Sequence, residues 1–81
     1  MARVVLPQQL HGLTGGEAEL DLAVDDYRAL IAALEARYPG ISAAIGQDFA
    51  VVIDGDIIND PLLERIDPDS EIHFLHRIGG G

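Results

Sequence analysis

"DDYRALIAALEARYPG", residues 25 to 40, is the stretch on which the fold turns. Just before it, in "EAELDLAV" (17–24), Glu17, Glu19 and Asp21 alternate with Ala18, Leu20, Leu22 and Val24. That period of two belongs to a half-buried strand. From Asp25 the period becomes 3.6, with Tyr27, Leu30, Ile31, Leu34 and Tyr38 at i, i+3, i+4, i+7 and i+11, the apolar stripe of a core-facing helix. Asp25 is the expected N-cap, Asp26 suits the positive helix start and Arg37 the negative end, and Pro39-Gly40 stops the helix.

Upstream, "ARVVLPQQL" (2–10) reads as a strand over its first half, with Val4 and Leu6 on one face and Pro7 limiting the ladder. "HGLTGG" (11–16) is a turn signal, so the first two strands form a hairpin. Downstream, "ISAAIGQD" (41–48) has no clear pattern. In "FAVVIDGDII" (49–58), Phe49 to Ile53 reads as a buried strand, Asp54-Gly55 as a tight turn and Ile57-Ile58 as a short returning strand. "NDPLLERIDPDS" (59–70) is a loop with room for one helical turn at Leu62 to Arg65, and "EIHFLHRI" (71–78) is the last strand. Strand, strand, helix, strand, strand, strand implies an α+β fold, one mixed five-stranded sheet with one main helix packed across it. Parity puts Ile72 and Phe74 on the core face, together with His76 and Ile78, and leaves His73, Leu75 and Arg77 on the other.

Eighty-one residues make one small domain, 48% hydrophobic but only 5% aromatic, so the core comes from Val, Ile, Leu and Ala. Cysteine is absent, which removes disulfides, thiolate metal sites and thiol nucleophiles and is compatible with a reducing, cytoplasmic setting. The opening apolar run is broken by Pro7 and two glutamines and is not expected to be a signal peptide, and no run has membrane-spanning length. Fourteen acidic residues against five basic ones give a net charge of −9. Nucleic acid and anionic lipid are therefore disfavoured as partners, and a basic protein surface is favoured. All five basic residues are arginine, so no lysine offers a side-chain amine for acyl attachment.

Side-chain constellations fail on spacing. His73 and His76 point to opposite faces of a strand and His11 is remote, so no metal site is expected. "DGDIINDPLLER" (54–65) resembles a calcium loop only at Asp54 and Asp56; Asn59 stands where the glycine belongs and Arg65 where the bidentate glutamate belongs. Ser42 and Ser70 have no adjacent histidine, and no phosphate-cradling glycine pattern is present. What remains is "HRIGGG" (76–81) and the carboxylate of Gly81. Acyl chemistry on a carboxylate requires activation, usually as an acyl-adenylate. Glycine carries no side chain to widen a channel, and three of them reach roughly 10 Å beyond the last strand. The expected organisation is a domain over 1–78 and a flexible glycine tail over 79–81.

Over its whole length the chain resembles the sulfur-carrier proteins of the ThiS and MoaD type, relatives of ubiquitin with the β-grasp fold. The resemblance rests on the element order, on "ALIAALEARYPGI" as the helix and its exit, on "VVIDGDII" as the V-x-(N/D)-G hairpin, on "IDPDSEIHFLHRI" as the acidic approach to the last strand, and on Gly80-Gly81. It implies that Gly81 is adenylated by a ubiquitin-activating-like enzyme that uses ATP, and becomes a thiocarboxylate that donates sulfur to a biosynthetic enzyme. Gly79 and Gly80 would thread the partner's channel, and an exposed apolar patch containing Leu75, with Arg77 and Ile78 beside it, would dock both partners. The chain itself would bind no cofactor and catalyse nothing. Its length favours the molybdopterin synthase small-subunit type, with the large subunit as partner, while "LPQQLHGLTGGEAEL" (6–20) is similar to carriers serving cysteine biosynthesis. A thiamin-type carrier, a ubiquitin-like modifier and an interaction-only β-grasp module are the other readings. The turn departs from the family pattern at Asp69-Ser70, where glycine is usual, and His76 and Arg77 stand where molybdopterin-type members often have prolines.

Overall fold

The computed structural model describes residues 1–58 and 61–77. Strand β1 (Ala2–Val5) is followed by a 3-10 turn (Gln8–Leu10), a short helix α1 (His11–Thr14) and strand β2 (Glu19–Leu22). Helices α2 (Tyr27–Arg37) and α3 (Ile41–Asp48) lead into β3 (Phe49–Ile53), β4 (Asp56–Ile58), a second 3-10 turn (Pro61–Leu63) and β5 (Glu71–His76). The sheet order is β2-β1-β5-β3-β4. Both hairpins are antiparallel, while the first and last strands, β1 and β5, run parallel at its centre. This is the β-grasp arrangement, and the expected mixed five-stranded sheet is observed.

One layer of packing holds it together. Leu30 and Leu34 of α2 and Ile41 and Ile45 of α3 are buried against Val4, Val51, Ile72 and Phe74 of the sheet. At about 25 cal/mol per Å² of apolar surface removed from water, such side chains contribute roughly 1.5–3 kcal/mol each. The alternation read from the last strand is correct, since Ile72 and Phe74 are buried and Leu75 is exposed.

Three expectations need correction. The helix cap is Asp26, not Asp25: the Asp26 carboxylate accepts a hydrogen bond from the Ala29 N–H at 2.7 Å, whereas the Asp25 carbonyl accepts the Ile66 N–H. Arg37 does lie in the last turn of α2, as expected, and also reaches sideways to Glu17 and the Tyr38 hydroxyl. Residues 41–48 form a second helix that shares the core, although the pattern gave no sign of it. Its start is satisfied from a distance: Glu35 of α2 accepts the Gly40 N–H at 2.8 Å and the Ser42 N–H at 2.9 Å. Those two bonds hold the Glu35 carboxyl below its ordinary range. Gly40 sits at φ +97°, a left-handed turn that lets α2 end at Arg37 and α3 begin at Ile41. The "HGLTGG" segment likewise winds into helix before turning at Gly15 and Gly16.

Candidate functional site

Construction of the site begins at the Asp54-Gly55 turn. Both residues have positive φ, +51° and +86°, the geometry that matches a two-residue hairpin to the twist of its strands. The turn fixes the register, so Val52 faces Ile57 and Val51 faces Ile58. Asp54 does a second job. Its carboxylate accepts the Glu71 N–H and the Ser70 hydroxyl, both at 2.9 Å, and Ser70 Oγ in turn accepts the Asp67 N–H at 3.0 Å. Ser70 is buried, and its carbonyl accepts the Arg3 N–H at 2.9 Å. The hairpin and the acidic turn are thus one hydrogen-bonded unit that aligns the start of β5. Ser70 is the bridge between them.

From that start β5 runs between β1 and β3. On the sheet face away from the helices, Leu75 stands opposite Ala50, and His73 stands opposite Val52 and Val5. With Ile57 beside Val52, the residues Leu75, Ala50, Val52 and Ile57 form an apolar half of this open face; Ile57 is 58% exposed and Leu75 49%. The other half is charged: Arg3 is ion-paired with Glu19, next to Asp21 and Glu71. Leu75 therefore sits where the sequence placed it. Ala50, Val52 and Ile57 were not singled out, although alternation about the Asp54-Gly55 turn carries the signal.

The strand's far end is also anchored. His76 meets the Phe49 ring edge-on at 5.3 Å between centroids, and the Arg77 N–H donates to the Asp48 carbonyl at 2.7 Å. Arg77 is exposed and borders a cleft of about 240 Å³ shared with Tyr27, Phe49, Val51 and Pro61. Burial raises the Tyr27 pKa, and the Arg77 charge opposes that rise. Ile78, Gly79, Gly80 and Gly81 lie outside the described residues. The three histidines are engaged separately: His11 with the Leu6 carbonyl, His73 with Glu71, and His76 with Phe49. Among the described residues no three His, Asp or Glu side chains gather as metal ligands, and no helix is long and apolar enough to cross a membrane.

Comparison with solved structures finds the same fold. The chain is similar to CysO in the Amycolatopsis orientalis BexX/CysO complex, with 20% identity, all of each chain covered and a TM-score of 0.87. Mycobacterium tuberculosis CysO, described as an antigen, is 21% identical over 96% of this chain and all of its own, with a TM-score of 0.85. The small archaeal modifier protein 1 of Methanosarcina acetivorans is 22% identical over 99% of this chain and 95% of its own, with a TM-score of 0.79. No curated protein matches the sequence. The sequence model of the ThiS family matches residues 4–81, nearly the whole chain. The chain belongs to the ThiS family of β-grasp sulfur carriers.

Proposed function

We propose that this chain is a cytoplasmic protein substrate that carries sulfur on the carboxylate of Gly81. An activating enzyme adenylates Gly81 with ATP, sulfur replaces the adenylate, and the thiocarboxylate is presented to a sulfur-accepting enzyme. The observation that carries this reading is the family match, which runs through Gly81. Supporting it, β5 is fixed at both ends and carries Leu75 on an exposed apolar face. Gly79 and Gly80 thread the channel in this reading, and Leu75, Arg77 and Ile78 contact the partners.

The molybdopterin-type pathway draws no support from the structural neighbours, two of which are CysO proteins and one an archaeal modifier. The second reading, a carrier serving cysteine biosynthesis, is favoured by "LPQQLHGLTGGEAEL" and by that likeness.

Incubation with ATP, an activating enzyme encoded beside the gene and a sulfur source should exchange one oxygen for sulfur, read by intact mass. Deletion of Gly81 should abolish the exchange, and Leu75→Glu should weaken capture of the enzyme without unfolding the chain. A full-length chain that no cognate enzyme adenylates would sink the reading.

A further inference from the structure

An activated carbonyl at Gly81 is exposed to every amine within reach, and the nearest cation along the chain is Arg77. Its backbone N–H donates to the Asp48 carbonyl, which ties position 77 to the end of α3. Gly81 lies four positions further on, a contour of roughly 14 Å at most. A nucleophile at position 77 would therefore meet the acyl-adenylate within its own molecule, at an effective concentration on the order of millimolar. The attack balances simply. The nitrogen forms a bond to the Gly81 carbonyl carbon, the bond to the phosphate oxygen breaks, AMP leaves with the electron pair, and the nitrogen's proton passes to solvent. The product is an internal amide that can carry no sulfur.

Which cation occupies position 77 then matters chemically as well as electrostatically. Near physiological pH about one lysine amine in a thousand is neutral and nucleophilic, against about one guanidinium in a million. The same distinction holds over the whole surface: Arg3, Arg28, Arg37, Arg65 and Arg77 supply every basic side-chain charge, and no lysine occurs in the 81 residues. We propose that Arg77, supported by this lysine-free surface, is a specificity-determining residue: it provides positive charge four positions before Gly81 while denying the activated Gly81 carbonyl a neighbouring side-chain amine, so the acyl group passes to the partner and not back to the carrier's own side chains. This rests on the carrier reading.

The test avoids the activating enzyme. The full chain is prepared with a thioester at Gly81 by intein cleavage, as wild type, as Arg77→Lys and as Arg3→Lys. Position 3 pairs with Glu71 at the opposite end of β5, six positions or roughly 20 Å of strand from Arg77. Thioester loss is followed by intact mass, and the new bond is located by peptide mapping. In Arg77→Lys the thioester should be lost about tenfold faster than in wild type or faster still, giving an amide between residue 77 and Gly81. Arg3→Lys should decay at the wild-type rate. Ring closure is local, so the difference should persist in denaturing urea, where folding of the variant no longer matters. Equal decay of Arg77→Lys and wild type overturns the inference and leaves the carrier reading intact. Failure of adenylation in the enzymatic experiment sinks the carrier reading while this chemical result still stands.

Discussion

Ser70 and Asp54 lie far apart in sequence, yet a single hydroxyl joins the two motifs that bracket the last strand. In Ser70→Ala that hydroxyl is lost, and with it the hydrogen bonds from the Asp67 N–H and to the Asp54 carboxylate, in a site where Ser70 is 3% exposed. A cost of about 1–3 kcal/mol is expected, read as a lower urea midpoint at unchanged slope. The sequence made Asp54 legible as a turn residue because Asp-Gly between apolar runs is a local signal. Its bonds to Ser70 and Glu71 were not legible, because they depend on how two distant loops meet. Leu75 was legible from alternation alone.

At the scale of elements, strands read well and helices unevenly. The strand periods and the α2 stripe are written in consecutive residues, so β1, β2, β3, β5 and α2 all emerge from pattern. Helix α3 does not, for a physical reason: it has only Ile41 and Ile45 as fully buried anchors, glycine at its cap, and its first amides are satisfied by Glu35 of another helix. Tertiary contacts make it a helix. Ile45→Ala should accordingly cost about 2–5 kcal/mol by chemical denaturation, the range for a core truncation. A cost below 1 kcal/mol would show α3 to be only an attached surface turn. Glu35 also gives the α2–α3 junction a pH dependence. Its carboxyl is held below the unfolded value by the Gly40 and Ser42 amides, so its contribution is present above the ordinary carboxylate range and is lost as pH falls through the lower folded value. Glu35→Gln should therefore lower the melting temperature at neutral pH and flatten its decline below about pH 4. Identical wild-type and variant melting curves across that range would contradict the role.

For the whole molecule the net charge of −9 sets the terms of encounter. Association with a basic activating or sulfur-accepting enzyme should slow as salt rises, because screening shortens the field to about 8 Å at physiological ionic strength. Stopped-flow rates between low and moderate salt would show the slope, and a rate that does not fall with salt would remove electrostatic steering from the account. The tail, by contrast, was legible only as a composition and a family resemblance, since glycines have no side chains from which a pattern could be read.

The central pairing of β1 with β5 has a mechanical side. The two strands run parallel, in the register Arg3 to Glu71 and Val5 to His73, so the start of β1 and the end of β5 lie at opposite ends of the sheet. A pull between residue 1 and the glycine tail loads their hydrogen bonds in shear, so that the bonds of the ladder must yield together. β3 grips β5 along its other edge from Phe49–His76 to Ile53–Ile72. A pull on the end of β5 is therefore borne by two ladders side by side, and the domain behaves as a rigid handle up to Arg77.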